Sequence, residues 1–109
     1  MQWNELTEEN QIDLIREKSK ERTQVIFKHS TRCGISAVAK GRLEKWRPSE
    51  EFDFYFLDLI KHRPLSNKIA EAFQVYHQSP QVLVIRNGEC VYDESHLGIS
   101  LQEILDYAA

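Results

Sequence analysis

A single thiol in a polar setting is the most reactive group that this sequence offers. Cys33 lies in the stretch His29-Ser30-Thr31-Arg32-Cys33-Gly34-Ile35-Ser36, which follows the apolar run Val25-Ile26-Phe27 and leads into a helical pattern. The spacing therefore places the sulfur where a strand ends and a helix begins. Unpaired N–H groups and the positive end of the helix dipole favour a thiolate at such a position. The chemistry that this predicts is nucleophilic attack by sulfur, as in thiol–disulfide exchange.

The residues around Cys33 favour a reactive thiol over a buried structural cysteine, which is the competing interpretation. Arg32 adds a positive charge beside the sulfur, and Gly34 leaves room for a thiol partner. Ser36 stands where a dithiol redox enzyme has its second cysteine, and its hydroxyl can donate a hydrogen bond to the thiolate, besides capping the helix. Cys33 and Ser36 are therefore the predicted catalytic residues of a single-thiol site. Thr31, Arg32 and Gly34 are predicted to contact substrate, with loop flexibility an equal explanation for Gly34.

A second signal is the dipeptide Ser79-Pro80, which immediately precedes the apolar strand pattern Gln81–Ile85. Proline is tolerated at the first residue of a strand because it has no N–H to donate. It can also be cis, which turns the chain sharply and leaves the backbone of residue 79 free to pair with an extended ligand. Spacing alone favours the trans alternative. In the cis form, Ser79 and Pro80 would line the substrate site.

The remaining patterns predict the elements that position this chemistry. They are an edge strand over 3–6, a helix capped by Thr7 with Ile12 and Ile15 inward, a buried strand over 25–28, a helix over 36–46 with Val38 on its apolar face, a strand over 52–59, a helix over 66–73, a hairpin turning at Asn87-Gly88, and a last helix opened by the capping box Ser100–Glu103. Strand–helix alternation implies parallel pairing, and the hairpin adds antiparallel strands. We therefore predict one α/β domain over 1–109, with a four-stranded mixed sheet flanked by helices and an N-terminal helix.

Other features exclude several classes of function. The formal charge of -3 and the lack of a basic block argue against nucleic acid as a partner, and no apolar run is long enough for a membrane. With only two cysteines and no visible signal peptide, the cytoplasm is the expected compartment. Cys90 is interpreted as a small buried hydrophobe within a strand. The scattered histidines show no zinc spacing, and a shared iron–sulfur cluster would need a thiol ligand from elsewhere.

Taken together, the lone cysteine after a buried strand, the C-x-x-S site, the Ser-Pro dipeptide and the Asn-Gly hairpin resemble the thioredoxin superfamily. The chain most resembles the monothiol bacilliredoxin (YtxJ-like) family. The residues that carry this resemblance are Ile26–Cys33, Ile35-Ser36, Arg63, Leu65-Ser66-Asn67, His77 and Ser79-Pro80-Gln81. The family's site is usually Cys-Pro-x-Ser, whereas here Gly34 follows the cysteine. The resemblance implies a thioredoxin-like fold, a cis Pro80, and removal of bacillithiol from S-thiolated client proteins.

The mechanism that the resemblance implies uses one protein sulfur and no bound cofactor. The Cys33 thiolate attacks the bacillithiol sulfur of a mixed disulfide on a client protein, and free bacillithiol then serves as the second thiol. Cations should hold the carboxylates of bacillithiol, with Arg32 the best and Lys28 and Lys40 weaker, since both lysines are better explained as solvated surface charges. N–H groups near Gly98 could add donors. The alternatives are a non-catalytic client-binding module and a stress sensor that stores the thiol on Cys33.

Overall fold

The computed structural model describes residues 4–30, 37–38, 40–41, 52–95, 98–99 and 101–108. Its elements are β1 Asn4–Glu5, α1 Asn10–Lys18, β2 Thr23–His29, β3 Phe52–Asp58, α2 Arg63–Phe73, β4 Gln81–Arg86, β5 Glu89–Ser95 and α3 Leu101–Ala108. Residues 37, 38, 40 and 41 are also helical, within the helix predicted over 36–46. In these ranges, no helix is long and apolar enough to cross a membrane.

The strands form one mixed sheet in the order β1-β3-β2-β4-β5. β1 and β2 both run parallel to β3, whereas β4 runs antiparallel to its neighbours β2 and β5. The prediction of four strands is therefore wrong. Asn4 and Glu5 form a fifth strand at the edge of the sheet, because they pair with Tyr55 and Phe56 of β3. The edge strand predicted over 3–6 is thus confirmed at Asn4–Glu5, and the error lay in not counting it in the sheet.

Two apolar layers cover the two faces of the sheet, and the central strand β2 contributes to both. All seven residues of β2 are buried, as expected for a strand with helices on either side. Ile26 belongs to the cluster that includes Ile15 from α1 and Ile69 from α2. Phe27 belongs to the cluster on the other face, which includes Ile104 from α3. The alternation of side chains along β2 thus places successive residues in different cores.

Helix α1 has the predicted inward stripe but begins later than predicted. Ile12 and Ile15 are buried, whereas Leu14 is 55% exposed. The cap predicted at Thr7 is wrong, because the helix starts at Asn10. The side chain of Gln11 instead accepts hydrogen bonds from the backbone N–H groups of Thr7 and Glu8, at 2.8 and 2.9 Å. A side chain in the first turn of α1 therefore satisfies the N–H groups of two residues that precede the helix.

The other helix boundaries also differ from the sequence patterns. α2 begins at Arg63 rather than at residue 66, because Pro64 stands in the first turn, where its fixed backbone angle suits a helix. Val38 was predicted to face the sheet, yet it is 49% exposed. Lys40, about 200° further around the helix, instead lies over the ring of Phe56 at 5.3 Å. The helix face that carries Lys40 is therefore the one that lies toward the sheet.

The hairpin between β4 and β5 is the element that the sequence predicted best. Asn87 and Gly88 have φ angles of 53° and 80°, as a type I′ turn requires. The turn pairs Arg86 with Glu89 and Ile85 with Cys90. This register confirms the predicted one and places Cys90 at the end of β4 that is remote from Pro80.

Candidate functional site

Most of the predicted catalytic loop lies outside the described residues, but the elements on both sides of it are described. Thr31, Arg32, Cys33, Gly34 and Ser36 all fall in the range 31–36. Strand β2 ends at position 29, four residues before the cysteine, and residue 37 is helical. The strand and the helix between which the thiol was predicted to lie are therefore both present. The roles of these five residues stay predictions.

The dipeptide Ser79-Pro80 lies next to the end of β2. The Ser79–Pro80 peptide bond is cis, as the resemblance implied. Gln81, the residue that follows, is the register partner of Lys28 in β2. Because these two strands are antiparallel, Pro80 comes beside the point where β2 continues toward Cys33. The sheet thus places the Ser79-Pro80 dipeptide beside the end of the strand that precedes the predicted catalytic loop.

The hydroxyl of Ser79 has a feature that suits a binding site. Its oxygen is buried, and it has no hydrogen-bond partner in the described part of the chain. Buried side-chain hydroxyls are normally paired. This buried, unpaired hydroxyl is therefore a candidate for contact with a bound ligand.

Aromatic packing holds the end of β2 in place. The His29 ring is buried and lies 5.8 Å from the ring of Phe27 and 5.4 Å from that of Phe56. The His29 carbonyl accepts a hydrogen bond of 2.9 Å from the N–H of Leu59. Lys40, in the helix beyond the catalytic loop, contacts the same Phe56 ring. The strand before Cys33 and the helix after it therefore rest on one aromatic cluster.

Lys28 is not the solvated surface charge that the sequence suggested, nor is it exposed to a ligand. Its relative exposure is 0%. Its ammonium nitrogen lies 3.2 Å from the carbonyl oxygen of Ser66 and 3.4 Å from Nδ1 of His77. Burial lowers the pKa of Lys28 to about 8, because it disfavours the charged form. Lys28 thus joins β2 to α2 and to the segment before the cis proline.

His77 and Arg63 are neighbours of this site that the sequence analysis quoted but gave no role. Burial, then the charge of Lys28 and then that of Arg63, lower the pKa of His77. Arg63 is exposed at the start of α2. Its positive charge lowers the pKa of His77, which lies two residues before Ser79 in the sequence. In the sequence, Arg63 and His77 stand out only because they belong to the stretches that carry the family resemblance. Their spacing alone does not indicate a role.

Cys90 has the character of an inert thiol. It is partly buried against the apolar cluster of α1 and α2, and its S–H donates to the carbonyl oxygen of Tyr92 at 3.3 Å. Burial, and then the nearby charge of Asp93, raise the pKa of Cys90 to about 11. This agrees with its interpretation as a small core residue. In the described ranges, no group of histidine, cysteine, aspartate and glutamate side chains could hold a metal ion.

The contrast between the two cysteines gives a first prediction. At pH 7, a thiol with a pKa of about 11 is ionised to about one part in 10⁴. We expect iodoacetamide at pH 7 to label Cys33 at least about a hundredfold faster than Cys90. Peptide mapping by mass spectrometry over a time course measures both rates in the folded protein, and a Cys90→Ser variant is the control. Equal rates at the two thiols would contradict the prediction.

The comparisons with known proteins agree with this geometry. The sequence profile of the family described as "Monothiol bacilliredoxin BrxC" matches residues 4–104. A solved structure described as a candidate oxidoreductase with a thioredoxin fold has a TM-score of 0.84 and 30% identity, over 96% of this chain and 92% of that one.

Two thioredoxins share the fold at lower identity. The thioredoxin of Malassezia sympodialis has a TM-score of 0.79 and 14% identity, covering 99% of this chain and 92% of its own. That of Fasciola hepatica has a TM-score of 0.76 and 18% identity, covering 97% and 99%. Family and fold together support a thiol oxidoreductase. Because the profile match spans nearly the whole chain, the protein belongs to the monothiol bacilliredoxin family, with a thioredoxin-like α/β fold.

Proposed function

We propose that this protein is a monothiol thiol–disulfide oxidoreductase that removes bacillithiol from S-bacillithiolated proteins through a mixed disulfide on Cys33. The observation that carries the proposal is the position of the cis Ser79-Pro80 segment, beside the end of the strand that leads to Cys33. At this position, just before β4 begins, the backbone of Ser79 can pair with an extended ligand. In this arrangement, the Cys33 thiolate and the Ser79 backbone contact the same client protein. Membership of the family supplies the substrate class.

The proposed cycle has two exchanges, each of which breaks one S–S bond and forms another. First, the Cys33 thiolate attacks the bacillithiol sulfur of the mixed disulfide, and the client protein leaves as a thiolate. A bacillithiol thiolate from solution then attacks the disulfide on Cys33, which releases Cys33 as a thiolate and yields bacillithiol disulfide. Ser36 cannot act as a resolving thiol. A reducing compartment such as the cytoplasm, which maintains free low-molecular-weight thiols, suits this cycle.

Cys90 cannot supply the second thiol from within the protein. It pairs with Ile85, five residues along β4 from Pro80, and at ~3.3 Å per residue this is about 16 Å. A disulfide needs Cα atoms within about 7 Å of each other. The second thiol must therefore come from outside, which is why bacillithiol is the proposed co-substrate.

Positive charge near the binding edge supports recognition of a carboxylate-bearing thiol. Arg32 adjoins Cys33 in sequence, and Arg63 is an exposed residue at the start of α2 whose positive charge lowers the pKa of His77. Guanidinium groups bind carboxylates with paired hydrogen bonds. Arg63 replaces the buried Lys28 as a candidate for this role. Clients contact the site through Ser79 and Pro80, and neither nucleic acid nor membrane has a part in the cycle.

The direct test is mass spectrometry of Cys33 after the protein meets an S-bacillithiolated client. We expect a bacillithiol adduct on Cys33, release of the free client thiol, and loss of the adduct when free bacillithiol is added. A Cys90→Ser variant should behave in the same way. Client binding without an adduct would instead favour the non-catalytic module. An adduct that persists in excess bacillithiol would favour the stress sensor.

A further inference from the structure

The cluster formed by Lys28, Ser66 and His77 has no part in the sulfur chemistry described above. Lys28 is fully buried, and its nitrogen contacts the Ser66 carbonyl oxygen and His77 Nδ1 at 3.2 and 3.4 Å. The Ser66 hydroxyl lies 3.1 Å from the same His77 nitrogen. Burying a charge lowers stability unless its partners compensate, and an apolar side chain of similar size usually packs as well. A lysine at this position therefore favours a role other than stability.

The contacts of His77 converge on one nitrogen of its ring. An ammonium group can only donate hydrogen bonds. A hydrogen bond from charged Lys28 to His77 therefore uses Nδ1 as the acceptor. Burial, then the charge of Lys28 and then that of Arg63, lower the pKa of His77, which favours the neutral ring. His77 thus accepts at a fixed nitrogen, and its ring is oriented by β2 and α2.

Among the residues that the structure describes, hydrogen bonds anchor the segment before Pro80 at two points, and the cluster is one of them. The second is Gln81, whose side-chain amide donates to the Tyr76 carbonyl oxygen at 2.9 Å. Gln81 is also the register partner of Lys28. The side chain of Tyr76 is itself 91% exposed, so packing of this ring does not hold the segment. Hydrogen bonds to the Tyr76 carbonyl oxygen and to the His77 side chain thus hold the start of the segment that leads to Ser79.

We infer that Lys28 is a positioning residue, which acts through His77 to hold the backbone of Ser79 in the orientation that binds the mixed disulfide. The inference rests on the proposed function for the identity of that ligand. Lys28 contacts neither the substrate nor the reacting sulfurs. It orders the binding segment before the ligand arrives, so that less conformational freedom is lost on binding.

The variant that tests this is Lys28→Met, which keeps the length of the side chain and removes the charge. The Ser66 carbonyl oxygen keeps its place inside α2, and the Ser66 hydroxyl can still donate to His77. The variant should therefore be as stable to denaturant as the wild type, or more so. For an S-bacillithiolated client we expect KM to rise about tenfold and kcat to change less than about twofold, since only binding is affected. Lys68→Met, at a side chain of α2 that is 54% exposed, is the matched control and should change neither.

Two further measurements do not depend on turnover. Hydrogen exchange of the amides of residues 76–79 should be about tenfold faster in Lys28→Met than in the wild type, because one of the two anchors is lost. NMR titration should show a higher pKa for His77 in the variant, because a nearby positive charge has been removed. The rate of Cys33 alkylation should stay within about twofold of the wild-type rate, since iodoacetamide does not need the Ser79 backbone.

A double-mutant cycle with His77→Leu tests whether the two residues act together. If Lys28 acts through His77, the double variant should show no larger rise in KM than the worse single variant. If Lys28→Met does not fold, His77→Leu alone carries the KM and hydrogen-exchange tests, because His77 lies at the edge of the core. Additive effects in the cycle would overturn the inference.

Other outcomes separate this inference from the proposed function. Unchanged KM and unchanged exchange in Lys28→Met would overturn the positioning role while leaving the oxidoreductase activity in place. A parallel fall in kcat and in Cys33 alkylation would also overturn it, since Lys28 would then act on the thiolate directly. A wild-type protein without de-thiolation activity would refute the proposed function. Hydrogen exchange and the pKa of His77 would still decide whether Lys28 holds the segment.

Discussion

Cys33→Ser is expected to lower the rate of de-thiolation by more than about 1000-fold, toward the uncatalysed rate. In the proposed cycle every exchange passes through this one sulfur, and a serine hydroxyl is not ionised at neutral pH. Cys90 cannot replace it, because its pKa is raised to about 11 and it lies at the remote end of β4. The measurement is release of the free thiol from an S-bacillithiolated client in the presence of bacillithiol.

The matched comparison is Ser36→Ala, which removes only a hydroxyl group. If Ser36 donates a hydrogen bond to the thiolate, its loss costs roughly 0.5–3 kcal/mol. This corresponds to a decrease in rate between about twofold and about 150-fold. Both variants should show wild-type unfolding curves, which separates chemistry from stability. Substantial turnover by Cys33→Ser would rule the mechanism out, whereas equal losses in the two variants would show that Ser36 does more than donate one hydrogen bond.

Phe27→Ala should have the largest effect on stability, about 3–5 kcal/mol. Phe27 is fully buried in the central strand and packs against the rings of His29 and Phe56. Its removal leaves a cavity at the aromatic cluster on which both sides of the catalytic loop rest. The free energy of unfolding of such domains is roughly 5–15 kcal/mol in total, so this substitution would remove a large share of it. Urea denaturation followed by circular dichroism measures it.

Leu14→Ala is the control for this substitution, because the Leu14 side chain is 55% exposed on α1. Its effect should stay within about 0.5 kcal/mol. A small loss for Phe27→Ala, comparable with that of the control, would show that the cluster around His29 does not pack as described. Phe27→Ala could lose much of its free energy of unfolding while its Cys33 alkylation rate at low temperature stays unchanged. This result would show that Phe27 stabilises the fold and does not affect the reactivity of the thiol.

Local patterns in the sequence were sufficient for the hairpin and for the inward stripe of α1. An Asn-Gly pair adopts the positive φ angles of a type I′ turn by itself, and the turn then fixes which residues of β4 and β5 face each other. The stripe of Ile12 and Ile15 follows from helical periodicity alone. The polar loop around Cys33 and the dipeptide Ser79-Pro80 were likewise recognisable as a candidate site, since the types of residue determine the available chemistry.

Tertiary structure decided the remaining features, because each depends on groups that are distant in sequence. The edge strand predicted over 3–6 joins the sheet through the pairing of Asn4 and Glu5 with β3, and the helix orientation that leaves Val38 exposed and Lys40 over Phe56 is visible only in the folded protein. Lys28 is the clearest case. Its position two residues after Ile26 placed it on an inward face, but its charge favoured solvent. The partners that allow its burial, Ser66 and His77, lie 38 and 49 residues away, and only the folded sheet brings them to its ammonium group.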